Sequence, residues 1–149
     1  MRILIVNSGS SSVKLRLLSD DDAVMESDDL PPFDRGLHQR LTDTIRRYGR
    51  IDAVGHRIVH GGTVFTGPVV IDERVVAALR TLGGLAPLNQ PPALAALDLV
   101  NSAIPRTPSV ACFDTAFHTS LPTAAHTYAL PREWRERWDL RRYGFHGLS

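Results

Sequence analysis

Lysine and cysteine are almost missing from this chain. Among 149 residues there is one lysine, Lys14, against sixteen arginines, and one cysteine, Cys112. A single cysteine excludes an internal disulfide and a cysteine-built metal cluster, and fits a reducing, cytoplasmic setting. Long apolar runs are missing too. The opening "MRILIV" stays apolar for four residues before turning polar, too short for a signal peptide, and nothing approaches the roughly 20 residues of a membrane span. Neither sign of charge is in excess: the formal net charge is +1. That gives no footing for a nucleic-acid or membrane-surface partner. Internal repeats, low-complexity tracts and interdomain linkers are likewise absent from the sequence. What is present is ordinary globular composition, 43% apolar and 22% charged, at the length of one domain with a real core.

The order of elements follows from periodicity. Residues 2–7 and 13–18 read as two strands, with Val13, Leu15 and Leu17 alternating with Lys14 and Arg16. The acidic, proline-containing stretch 19–34 reads as a connection with room for a short strand at 23–26. Leu37, Leu41, Ile45 and Tyr48 recur at helical spacing and Gly49 follows, so 35–48 is expected to be a helix. "IDAVGHRIVHGG" (51–62) reads as a buried strand ending in two glycines. Asp72 is placed to cap a helix carrying Val75, Val76, Leu79 and Leu82, which stops at Gly83-Gly84. A proline-bounded loop at 86–92 precedes a helix over 93–103, then a short strand at 109–113, and Pro131 opens a last helix at the favoured first position. A hairpin followed by strands alternating with helices predicts an α/β layered domain.

Four places combine polar residues with strand ends or glycines: 7–14, 56–62, 114–118 and 143–147. Asn7-Ser8-Gly9-Ser10-Ser11-Ser12 is either a conformational hairpin tip or a loop whose amides and hydroxyls cradle an anion. It matches neither G-x-x-x-x-G-K-[ST] nor G-x-G-x-x-G. Lys14, the only ammonium side chain, stands beside it and has the reach of a phosphate ligand. Arg57 and Val59 share one face of their strand, while His56, Ile58 and His60 share the other. A guanidinium in an apolar strand needs an anion, either an internal carboxylate or a substrate carboxylate or phosphate. The two histidines lack a third ligand at zinc spacing. Asp114 closes "SVACFD" and either caps the next turn or faces a metal or the chemistry. His146 in "YGFHG" is structural or catalytic, and its flanking glycines let backbone approach a ligand.

Taken together, "VNSGSSSVKL", "GHRIVHGG", "LAPLNQPPAL", "FDTAFH" and "RRYGFHG" resemble, in order and spacing, the N-terminal half of the acetate kinase family. The resemblance runs from residue 2 to 149. It implies a ribonuclease H-like (actin-like ATPase) lobe, a mixed β-sheet with a β-hairpin phosphate loop and flanking helices. Residues 1–149 would then be an N-terminal lobe, with the C-terminal lobe outside this chain. It implies Mg²⁺ (or Mn²⁺) near Asn7, and nucleotide phosphates near Ser10, Ser12 and Lys14. Arg57 would contact acetate or the transferring phosphoryl group, and Val59, Leu88 and Phe145 would line the methyl pocket. Asp114 and His146 match the catalytic aspartate and the transition-state histidine. The implied reaction is reversible phosphoryl transfer from ATP to acetate by a cytoplasmic homodimer, with the isolated chain an inactive fragment. A propionate or butyrate kinase, or a non-catalytic lobe that binds nucleotide or a partner, are the alternatives. One departure is local: the family usually reads "LAPLHNPP" where this chain has Leu88-Asn89-Gln90-Pro91, which replaces an imidazole by an amide.

Overall fold

A computed structural model describes residues 1–9, 11–31 and 34–148. Its centre is a six-stranded mixed sheet in the order β3-β2-β1-β4-β6-β5. β1 (Ile3–Ser8) and β2 (Val13–Leu18) form the expected hairpin, paired from Ile3 with Leu18 to Ser8 with Val13. Between them the Gly9 N–H donates to the Ser12 carbonyl at 3.0 Å, which closes the tip. β3 (Val24–Leu30) pairs antiparallel with β2 and forms one edge. The acidic stretch is therefore longer in strand than the expected 23–26. Carboxylates suit it to this position, because charge on an edge strand opposes pairing with another chain.

β4 (Ala53–Ile58) lies parallel to β1, and β6 (Ser109–Phe113) parallel to β4. The strand expected over 51–62 is thus shorter: His60, Gly61 and Gly62 leave the sheet in a turn, with Gly62 at φ +63°. β5, only Val69–Val70, pairs antiparallel with β6. Two residues carry no periodicity, so the sequence pattern does not reveal it.

Three longer helices follow their apolar spacing. α1 (Leu37–Tyr48) ends at Gly49, whose φ of +73° suits glycine. α2 (Glu73–Thr81) is capped by Asp72, whose carboxylate accepts from the Val75 N–H at 2.8 Å. Leu82 falls outside it, in a 3₁₀ turn over Leu82–Leu85. α3 (Gln90–Ala103) starts three residues earlier than expected, because Pro91 and Pro92 sit in its first turn, where no N–H partner is needed. A short α4 (Thr123–His126) was not anticipated. α5 (Arg132–Trp138) has Pro131 at the capping position, one place before the first helical residue.

One sheet face is dry. Leu4, Val6, Val13, Leu15, Leu17 and Val54 pack against Leu37, Leu41, Ile45 and Tyr48 of α1 and Ala96 and Val100 of α3. A second cluster joins Ile58, Ala111 and Phe113 to Val75 and Leu79 of α2 and Ala93 and Leu94 of α3. The opposite face, with Ile3, Ile5, Asn7, Arg57 and Cys112, is only half-buried. Asn7 and Arg57 occupy neighbouring positions across β1 and β4 on that face, near the carboxyl ends of parallel strands, where open α/β sheets bind ligands.

Candidate active site

Those strand ends open onto a cavity of about 540 Å³, lined among others by Asn7, Ser12, Lys14, Arg57, Val59, Leu88, Asp114, Phe145 and His146. The volume lies in the range of small-molecule sites. Five segments far apart in sequence therefore reach one space, and nine of the residues singled out above line it. Ser10 is outside the described residues. The cavity also takes in Gly9 and Ser11 of the expected anion loop, and Leu85, Ala86, Pro87 and Asn89, which sequence reasoning had not assigned to a site. The proline-bounded loop at 86–92 was the available signal.

Arg57 is the electrostatic centre. Its Nε donates to Asp114 Oδ1 at 3.0 Å, its Nη2 pairs with Asp114 Oδ2, and its Nη1 donates to Asn7 Oδ1 at 3.1 Å. The two readings of Arg57 thus meet: it has an internal carboxylate, and it still borders the cavity. Asp114 is 1% exposed, so this fork supplies the countercharge that burial of a carboxylate requires. Asp114 does not cap the following 3₁₀ turn (Asp114–His118) with its side chain; both oxygens face the guanidinium. Lys14, by contrast, is exposed at the cavity mouth. Val59, Leu88 and Phe145 supply apolar surface to the same cavity.

The donors that face Arg57 also bear on a metal ion. Asn7 and Asp114 offer oxygen only, and a carboxylate retains lone pairs beyond those used by one guanidinium. Among the described residues no cluster of three or more His, Cys, Asp or Glu forms a closed metal cage. One carboxylate and one amide oxygen fit a magnesium-type ion held largely by phosphate oxygens and water, and do not fit a soft transition metal.

Two buried side chains hold the cavity walls. Gln90, fully buried, accepts from the His60 N–H at 3.3 Å and donates to the His60 carbonyl at 3.1 Å. This reciprocal clamp ties the segment after Val59 to the start of α3. The His60 ring is fixed as well: Nδ1 accepts from the Gly62 N–H at 2.9 Å, which leaves its proton on Nε2. The ring meets Tyr143 and Phe145 edge-on, at centroid distances of 4.4 and 5.7 Å. Burial lowers its pKa. His56, on the dry face, is pushed down to about 4 by burial, and its Nε2 has no hydrogen-bond partner. Neither histidine lines the cavity beside Arg57.

Comparison with known proteins agrees with this architecture. A model of the Acetokinase family matches residues 34–149. An acetate kinase from Thermosipho africanus is 39% identical over 182 residues, covering all of this chain and 45% of that protein. The chain therefore spans about half the length of the curated relatives it matches, and is shorter within the shared half, with 149 residues against 182 aligned positions. Among solved structures, an acetate kinase from Porphyromonas gingivalis aligns with a TM-score of 0.84 at 30% identity. A propionate kinase from Francisella tularensis aligns with a TM-score of 0.85 at 28% identity. Each covers 98% of this chain and 45% of the other. The mixed sheet with its leading hairpin is thus the actin-like ATPase fold of these kinases, and the chain belongs to the acetokinase family.

Proposed function

We propose that this chain is the N-terminal lobe of a two-lobed acetate kinase, which transfers the γ-phosphoryl group of ATP to acetate and runs reversibly. The observation that carries this reading is the juxtaposition, in one cavity, of the Arg57 fork with an apolar wall of Val59, Leu88 and Phe145. A guanidinium beside apolar surface is the complement of a short carboxylate, charged at one end and methyl at the other.

In the proposed step an acetate oxygen forms a bond to the γ-phosphorus. The bond from that phosphorus to the β–γ bridging oxygen breaks, and its electron pair leaves with ADP. Acetate is already ionised at neutral pH, so no general base is required. Phosphoryl transfer then depends on in-line placement and charge neutralisation. Lys14 and Ser12 bind the nucleotide phosphates, and the family resemblance gives Ser10 the same part. Arg57 and His146 donate to the phosphoryl oxygens as charge shifts, each worth about 3 kcal/mol by analogy with an oxyanion donor. Asn7 and Asp114 would hold Mg²⁺ or its water shell; the ion, when bound, neutralises phosphate charge. Asp114 also orients Arg57 through the two contacts described above. The remainder of the family's length would supply the facing wall, and homodimerisation in the cytoplasm belongs to the same reading.

A propionate kinase is the second reading, favoured by the Francisella structure. Trapping acyl phosphate with hydroxylamine, with acetate, propionate and butyrate in competition, separates the two. A methylene in an apolar pocket changes kcat/KM by about 10- to 200-fold. We expect acetate to be the best acceptor and propionate a poorer one. Formation of no acyl phosphate by the natural gene product containing these residues would overturn both.

A further inference from the structure

We propose that His118 is a positioning residue, which sets the strap carrying Phe145 and His146 in place against the turn carrying Asp114. The role in catalysis rests on the phosphotransfer reading above; the geometry does not.

Residues 141–146 form neither helix nor strand, and 147–148 only turn, so the strap has no ladder of its own to fix it. Isolated contacts do so instead: the Arg142 N–H donates to the His126 carbonyl at 2.8 Å, the His60 ring meets Tyr143 and Phe145, and His118 holds the backbone at Phe145. His118 Nε2 lies 3.1 Å from the Phe145 carbonyl oxygen. A carbonyl only accepts, so Nε2 carries the proton and donates. The imidazole also serves as a floor: Gly144 lies so close that a Cβ there would collide with three ring atoms of His118. Three residues on, a Cβ at Gly147 would collide with the Asp114 carbonyl oxygen and with Phe117 Cβ. Between them His146 has φ +58°, a left-handed backbone that a non-glycine residue keeps only where its surroundings hold it. The two glycines of "YGFHG" are thus explained by close approach to the 114–118 turn.

The consequence is a coupling built into five residues. The turn Asp114–His118 begins with the carboxylate that holds Arg57 and ends with the imidazole that holds the strap. Phe145 and His146 line the cavity from the strap side. Their distance from Arg57 is therefore set through His118, whose side chain is absent from the cavity lining itself. Its loss leaves Arg57, Asp114 and Lys14 in place and loosens the strap at Phe145 and His146, beyond the segment held by the Arg142 N–H and the His60 ring.

The test uses the natural gene product containing this chain, with His118→Ala, His118→Gln and Gly144→Ala. Gln places an amide N–H near the position of Nε2 and should rescue. Tryptic cleavage after Arg141 and Arg142, followed by mass spectrometry, reads strap opening. Cleavage at least tenfold faster in His118→Ala and Gly144→Ala, and near wild-type in His118→Gln, is expected. In the same series kcat for acyl phosphate formation should fall at least tenfold in His118→Ala, with the nucleotide KM within twofold and recovery in His118→Gln. Unchanged strap cleavage in both disrupting variants overturns the proposal. Equal loss of kcat in His118→Ala and His118→Gln, with the strap closed in the latter, overturns its catalytic part. If the wild type transfers no phosphoryl group while cleavage still follows His118, the kinase reading fails and the positioning role stands.

Discussion

Acidification should destabilise this fold through His56 well before its carboxylates protonate. The ring is 2% exposed in the second strand of the parallel core, beside Val6 and Ala111, and its Nε2 lacks a partner. Burial lowers its pKa to about 4, from 6.5 in an unfolded chain. Below pH 6.5 the unfolded state therefore binds the proton and the folded state does not. Stability is full above that value, falls with pH, and levels off below about 4. Integrating the proton-binding difference gives a loss of about 2 kcal/mol between pH 7 and 5, and about 3 kcal/mol by pH 4. His60, shifted in the same direction by burial, adds to the slope. Asp28, held low by Tyr48 and Arg47, and Asp52, held low by the Arg2 N–H and Arg50, lose their contribution only as pH falls below the ordinary carboxylate value. The windows are thus separable. In urea denaturation followed by circular dichroism, with a slope of about 2 kcal/mol per molar, the His56 share moves the midpoint by about 1 M between pH 7 and 5. His56→Leu keeps the volume and removes both titration and the orphaned nitrogen, so its midpoint should fall by about 1 M less than that of the wild type over that interval, the remaining fall being the share of His60. A variant whose midpoint falls as steeply as the wild type would refute the assignment.

Two other substitutions probe the cavity walls. Gln90→Leu leaves the buried N–H and carbonyl of His60 without partners, at a cost of about 2–4 kcal/mol in denaturation midpoint terms; unchanged stability would show that the clamp is dispensable. Lys14→Met alters an exposed side chain, so stability should stay within about 0.5 kcal/mol. Under the proposed role its affinity for ATP in a fluorescent-nucleotide titration should drop about tenfold, and an unaltered titration removes Lys14 from the phosphate site.

Much of the fold was legible because its signals are local. The alternation of Val13, Leu15 and Leu17 gives β2 to the residue, and Asp72 caps α2 as its position implies. Errors arose where local signals conflict with tertiary context. Pro91 and Pro92 read as loop, yet they belong to the first turn of α3. Asp28 and Asp29 read as connection, yet in β3 Asp28 accepts from the Tyr48 hydroxyl at 2.6 Å and Asp29 pairs with Arg16 at 2.7 Å. At the cavity, the chemistry of Arg57 and Asp114 was visible as two unresolved alternatives each; only the fold shows that they answer one another. The stapling of Phe145 to His118 spans 27 positions and rests on a backbone carbonyl, which no residue pattern encodes.

The most direct measurement is hydroxamate formation from acetate and MgATP by the natural gene product, compared with its Arg57→Lys variant. Lysine keeps a cation beside Asp114 but cannot reproduce three directed contacts from one planar group. The account predicts acetate-dependent acyl phosphate from the wild type and a fall of about 100-fold or more in the variant, with an unchanged circular dichroism spectrum. Turnover of Arg57→Lys within threefold of wild type would contradict it.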